Sequence, residues 1–296
     1  MDKEEIEKYK KAGEISKQIK EFTRKIIKKD MLLVDIAKKI EDKIIELGGM
    51  PAFPVNLSID DIAAHYHPTL GDTTTAQGLL KIDMGIHIDG FIADSAISID
   101  LTDNKEHKKL IEATENALKF ALELQEKNPT LNDTGKIIQE KIEEDGFSAI
   151  TNLSGHSLER YEIHAGITIP NCANNSQKKL QEGAYAIEPF ATTGKGSIYE
   201  GPAGNIYAIE NLKNTRNPTA RKILDYIWGK NKQLPFSARE IEEKFGKMSR
   251  LALRELVQQG ILHSFNQLIE ISHKPIAQAE HTFLKTKEGK IIVTTM

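Results

Sequence analysis

Apolar residues recur every three to four positions between Asp2 and Lys29, at Ile6, Tyr9, Ile15, Ile19, Phe22, Ile26 and Ile27, with charges between them. That period predicts an amphipathic helix. Val34 to Leu47 repeats it and predicts a second helix, ended by Gly48-Gly49. The pattern then changes. Residues 50–58, MPAFPVNLS, read as an extended stretch broken by prolines, and 62–66, IAAHY, as a short strand carrying His65. From Lys81 to Leu101 the period drops to two on either side of Asp89-Gly90, which predicts a β-hairpin with a two-residue turn. Asn104–Gln125 and Asn132–Glu144 return to helical spacing, with Asn132 and Asp133 as N-cap candidates and Gly146 as a C-cap. Ser148–Ile169 is strand-rich, and Tyr185–Phe190 reads as a strand with one acid, Glu188. Ile276–Thr286, which holds Glu280, and Lys290–Thr295 read as a closing hairpin turning at Lys287-Glu288-Gly289. Two helices and strands are thus followed by two more helices and strands. The expected fold class is α+β, two halves on one plan with helices against a central sheet.

Residues 205–272 interrupt that plan. They read as helix, a Pro-Phe-Ser-Ala break, helix, short turn, helix and a short strand pair, in the manner of a winged helix. Ser237 and Glu240 have the spacing of a reciprocal capping box. The expected organisation is a catalytic domain from 1–204 and 273–296, with 205–272 inserted as a helical subdomain. The insert holds 11 Lys and Arg against 7 Asp and Glu, so its +4 leaves −7 for the rest.

Composition narrows the classes. A chain of 296 residues, 39% hydrophobic and 28% charged, can bury a full core. A net charge of −3 gives no bulk attraction to nucleic acid or membrane. No apolar run approaches the roughly 20 residues of a membrane helix. The N-terminus, MDKEEIEKYKKAGE, lacks the apolar core of a secretory signal. Cys172 is the single cysteine, so an internal disulfide and a cysteine-based zinc site are both excluded. The expected location is cytoplasmic.

The hairpin carries the first chemical signal. A two-residue turn at Asp89-Gly90 pairs Asp83 with Ala96, and Asp94 lies two residues further along on the same face. The two carboxylates become diagonal neighbours, roughly 7–8 Å apart at Cα. Like charges on an apolar surface call for a cation between them. Glu188, in AIEPF, and Glu280, in AQAEHTF, are further acids among apolar residues, and His156 follows Ser154-Gly155. Four carboxylates and an imidazole suit a pair of divalent cations such as Mn²⁺, Fe²⁺, Co²⁺ or Zn²⁺. Taken singly, a strand acid such as Glu188 is more often an edge-strand or salt-bridged residue, and His156 reads equally as a hydrogen-bonded structural histidine.

Five stretches give the set a context: AAHYHPTLGDTT at 63–74, KIDMGIHIDGFIADSA at 81–96, NLSGHSLERYEIHAGITIPN at 152–171, AIEPFATTGKG at 186–196 and QAEHTFL at 278–284. With them the chain resembles methionine aminopeptidases of the type 2 branch, in the short archaeal form, nearly end to end. The resemblance implies the pita-bread fold, two pseudo-symmetric halves around a dinuclear metal centre. The 205–272 segment is similar to the insertion that separates type 2 from type 1 enzymes. The resemblance assigns Asp83, Asp94, His156, Glu188 and Glu280 as metal ligands, with Asp94 and Glu280 bridging two divalent ions. His65 would contact the scissile amide or leaving amine, and His164 the substrate carbonyl. Glu188 would shuttle a proton from the attacking, metal-bridging hydroxide's parent water. Phe53 and Ile163 match the positions that line the methionine pocket. The implied activity is removal of the initiator methionine from nascent chains with a small second residue.

Two other readings share the motifs. One is an Xaa-Pro peptidase of the same fold, though the hairpin at 81 leaves no room for the extra N-terminal domain those relatives carry. The other is a non-catalytic relative that binds ribosomes or RNA through the basic insert. Transient ribosome contact and a monomeric state are expected, with no membrane and no specific nucleic acid. A long charged N-terminal extension is not expected, since the helical pattern begins almost at Met1. His67, His87, His107 and His263 read as surface or packing residues, as do Met84 and Phe91 on the hairpin. Gly194-Lys195-Gly196 lacks the spacing of a phosphate loop.

Overall fold

A computed structural model describes all 296 residues. The first helix, Lys3–Ile26, is closed at its start by Asp2 and Glu5, each side chain accepting the other's backbone N–H. The second, Leu33–Glu46, buries Ile36, Ile40 and Ile44 at a spacing of four, and Gly48 takes a φ of 83° beyond its end. The first lies on the predicted hairpin, whose strands are Leu79–Ile88 and Phe91–Asp100, and the second shares its buried core. Asp89 and Gly90 have φ of 51° and 89°, as a tight hairpin turn of this twist requires. The register places Asp83 across from Ala96 and Gly85 across from Asp94. The Leu79–Ile88 strand is central, since Met50–Pro51 and Asn56–Ile59 also pair with it.

The second half repeats the plan. Helices Lys108–Gln125 and Leu131–Glu144 cover a sheet in which Gly183–Ile187 lies between Ser154–Leu158 and His281–Lys285. Thr168–Pro170 and Ile291–Val293 complete its edges. The two cores are nearly equal, with 17 and 18 buried residues, so neither half is an appendage of the other.

Local chemistry moved some boundaries. The third helix starts at Lys108 rather than Asn104, because Asp100 holds the approach in a turn. Its carboxylate accepts the N–H of Thr102 at 2.9 Å and of His107 at 2.8 Å. The fourth helix is capped by Thr130 in a reciprocal box with Asp133, not by Asn132. Asn132 instead accepts the N–H groups of Asn174 and Asn175 across a loop. Ser237 caps Ala238–Phe245, but Glu240 does not return the bond; its Oε1 accepts from Tyr226 and Lys230 instead.

The remaining helices, Pro218–Lys230, Ala238–Phe245 and Ser249–Gln258, share a core of their own around Ile223, Ile227, Phe236 and Leu256. The short strand pair expected after them is a long one. Leu262–Glu270 pairs with Ile198–Ile209, and its other edge takes Ile62–Ala64 of the first half. The helical segment is therefore stitched to the rest by a shared sheet.

Candidate metal centre and peptide cleft

Two acids come from the first half. Asp83 and Asp94 sit diagonally on the hairpin, as the two-residue turn dictates. Between them Gly85 leaves room for Phe53, whose ring would lie 2.3 Å from a Cβ added there.

The other two come from the second half, and not from within strands as the sequence pattern suggests. Gly183–Ile187 pairs with His281–Lys285, and Phe190–Thr192 pairs with Ile276–Gln278 in the same register. Glu188 and Glu280 face each other in the gap between the two sheets. Pro189 has no N–H with which to continue the ladder. The Glu280 N–H turns instead to the carbonyl of Ala96 on the hairpin at 3.2 Å. Hydroxyls staple the crossing on both sides. Thr282 Oγ1 accepts from Asp94 N at 2.7 Å and donates to Asp94 O at 2.8 Å. Ser98 Oγ does the same for Gln278, at 2.9 and 2.8 Å. The seam between the halves thus delivers all four acids to one place.

His156 completes the set from Ser154–Leu158. Gly155 beside it is obligatory, since a Cβ would stand 2.2 Å from the Ala186 carbonyl. His156 Nε2 lies 3.4 Å from Glu188 Oε1 and 3.7 Å from Asp94 Oδ2. Donor atoms of Asp94, His156 and Glu280 all lie within 4.8 Å of one another. Buried oxygens Asp83 Oδ1, Asp94 Oδ1 and Glu280 Oε2 have no hydrogen-bond partner. Burial pushes Asp83 up to about 7, against the pull of the Gln278 amide. Burial, and then repulsion among neighbouring carboxylates, holds Asp94, Glu188 and Glu280 well above the ordinary range. Burial drives His156 the other way, to about 3, so its imidazole is neutral. Converging orphaned carboxylates beside a neutral imidazole fit divalent cations, which would take up the lone pairs and the excess charge.

The remaining residues form walls. His65 has a left-handed backbone, φ 67°, and its carbonyl would meet a Cβ on Gly204 at 2.0 Å. Its Nδ1 donates to Asn266 O at 3.0 Å, which leaves Nε2 free on the cleft side. His164 stands edge-on to His156, with ring centres 4.5 Å apart. Phe53 and Ile163 supply apolar surface. All nine residues singled out from the sequence line this one cleft.

Others were missed. Asn56 pairs with Asp83 in the sheet and shows an unpartnered Oδ1. Gln278 steadies Asp83 through its amide; it lies two residues before Glu280, and a period of two could have found it. Ile206, Pro235, Phe265 and Leu268 close the apolar side from the interrupting segment. No local signal marks Ile206, Phe265 and Leu268, because their place is set by the long-range pairing of Ile198–Ile209 with Leu262–Glu270, in which Ile206 lies across from Phe265.

A family model described as Metallopeptidase family M24 matches residues 7–214. The chain is 41% identical over 295 residues to the methionine aminopeptidase of Pyrococcus abyssi, covering 98% of this chain and 99% of that one. Among solved structures, a thermophilic Arx1 superposes with a TM-score of 0.84 at 17% identity, over 99% of this chain and 91% of that one. The methionine aminopeptidase of Thermotoga maritima superposes at 0.71 and 20% identity, over 100% and 98%. These likenesses establish the pita-bread fold.

Proposed function

Because the chain belongs to metallopeptidase family M24, we propose that it removes the N-terminal methionine from nascent proteins and peptides whose second residue is small. The observation that carries this reading is identity above 40% over nearly the whole length of proteins named methionine aminopeptidase. The convergence of nine expected residues on one cleft supports it.

Asp83, Asp94, His156, Glu188 and Glu280 would hold two divalent ions drawn from Co, Mn, Fe and Zn. When bound, such a pair polarises a carbonyl and makes a water acidic enough to attack at neutral pH. The protein's own groups do the rest. Phe53 and Ile163 receive the methionine side chain, whose thioether suits an apolar wall. His164 donates to the substrate carbonyl and stabilises the negative charge that develops there. His65, pinned through Nδ1, presents Nε2 to the scissile amide and then to the leaving amine. Glu188 takes a proton from the attacking water and hands it to that amine.

The chain acts as a monomer in the cytoplasm, with residues 205–272 as the inserted unit, whose +4 charge favours a transient contact with the ribosome. No helix is long and apolar enough to cross a membrane. The test is release of methionine from Met-Ala-Ser, abolished by a chelator and restored by Mn²⁺ or Co²⁺. Cleavage confined to Xaa-Pro bonds, or ribosome binding with no hydrolysis, would overturn the reading.

A further inference from the structure

A closed circuit of buried and half-buried polar groups lies behind the cleft. His67 Nδ1 donates to the Val55 carbonyl at 2.8 Å. Its Nε2 therefore carries the lone pair, and it accepts from Arg239 Nε at 3.3 Å. The Arg239 amino group pairs with Glu41 Oε2. The second Glu41 oxygen accepts the Val55 N–H at 3.4 Å, which closes the circuit at Val55. His67 is 0% exposed and Arg239 5%. Burial holds the His67 imidazole below its ordinary range, against the pull of Glu41 and with the help of Arg239.

No group in this circuit lines the cleft, and none has a part in the reaction. A buried ion pair is also a weak source of net stability, since apolar residues of the same volume do as well. Its distinctive product is geometry. Val55 lies two residues after Phe53, and His67 two residues after His65. Arg239 lies four residues after Pro235, a third cleft wall, on the helix Ala238–Phe245. Three walls from three separate stretches of chain are therefore tied to one another through four bonds. The two nearest walls need such a tie. Phe53 rests on bare backbone at Gly85, and His65 holds a left-handed conformation that a non-glycine residue adopts reluctantly.

We propose that Glu41, His67 and Arg239 are positioning residues that fix the spacing of Phe53, His65 and Pro235 around the first residue of the peptide substrate. The proposal rests on the methionine-removal reading for its substrate but not for its geometry. Docking of the helical segment, through Arg239, thereby sets the fit of the methionine pocket in the first half.

The experiment uses the full chain reconstituted with Mn²⁺, assayed on Met-Ala-Ser and Leu-Ala-Ser well below the melting temperature. Arg239→Ala and His67→Leu should raise KM for Met-Ala-Ser by about tenfold, while kcat changes by less than about threefold, because displaced walls bind the side chain poorly. Preference for Met over Leu should fall in parallel. His67→Gln keeps one donor and one acceptor and should stay close to the parent. Glu41→Gln keeps the volume and loses the charge, and gives the reading if Arg239→Ala does not fold. A readout independent of turnover comes from 4-fluorophenylalanine at position 53, whose ¹⁹F resonance should shift in Arg239→Ala and His67→Leu but not in His67→Gln. If the parent releases no methionine but the fluorine signal responds in this way, the functional reading fails and the clamp stands. If the parent is active and the variants melt earlier yet keep the parent KM, selectivity and fluorine signal, the circuit is merely structural and the proposal is overturned.

Discussion

At the residue scale, Asp94 is a buried acid held among other acids in the absence of a cation. It is 3% exposed, and the Asp83 carboxylate raises its proton affinity further. Asp94→Asn keeps the shape and removes one of four converging negative charges. In a chelator this variant should be more stable than the parent by about 1–3 kcal/mol, because a buried like charge is relieved. With saturating Mn²⁺ the order should reverse, and peptide hydrolysis should be lost. Urea melts of both proteins in both conditions check this, and a less stable variant in chelator would contradict the like-charge account. His87 tests burial by a different route. Its Nδ1 accepts the Gly90 N–H at 3.0 Å in the hairpin turn, and burial lowers it from 6.5 to about 4. The native state keeps this imidazole neutral, while the unfolded chain takes up a proton below about 6.5. Its contribution is therefore present above 6.5 and is lost as pH falls toward 4, to the extent of about 2–3 kcal/mol. His87→Asn retains an acceptor for Gly90 and should flatten the parent's loss of stability across that window. Equal slopes for the two proteins would show that another group carries the effect.

At the element scale, identical substitutions at two helical glycines should have opposite signs. A Cβ on Gly13, in Lys3–Ile26, would stand 2.1 Å from the Thr294 carbonyl. The gain of about 1 kcal/mol in helix propensity is outweighed by that clash, and Gly13→Ala should destabilise by about 1–3 kcal/mol. Gly229, in Pro218–Lys230, has nothing within 4 Å of its added Cβ. Gly229→Ala should stabilise by about 0.5–1 kcal/mol. Thermal melts decide both, and a loss at Gly229 would sink the steric distinction. The same elements show what a sequence can disclose. The hairpin register was legible because a two-residue turn admits one pairing, so Asp83 and Asp94 could be placed on one face before any fold was known. The helix start at Lys108 was not, because the Asp100 turn competes with a helical pattern that already looks complete. Glu188 and Glu280 were legible as buried acids but not as partners. Their apposition depends on Pro189 ending one ladder and on a hydroxyl-stapled crossing almost two hundred residues from the hairpin. The Phe265 wall and the Arg239 circuit were silent for the same reason, since each is defined only by long-range pairing.

At the scale of the whole molecule, the candidate ligands divide between the two halves. Asp83 and Asp94 belong to the sheet that completes one core, and His156 lies in the sheet that completes the other, with Glu188 and Glu280 at the crossing. A cation held by this set ties two comparably sized cores together and simultaneously offsets the repulsion between them. It should therefore act as a stabilising ligand of the folded state, beyond its chemical task. At one hundred times its dissociation constant, a metal that binds the native chain alone adds about 2.7 kcal/mol. For a chain of this length that corresponds to a rise of about 4 °C in melting temperature over the chelated protein. Asp94→Asn should abolish most of the rise, because the lost oxygen lies on the hairpin side of the seam. Arg239→Ala should preserve it, because the circuit behind the pocket supplies no donor to the metal set. Calorimetric scans of the three proteins with EDTA and with Mn²⁺ separate the two kinds of residue. A parent melting temperature indifferent to Mn²⁺ would mean that the five residues do not jointly hold a cation, whatever their proximity.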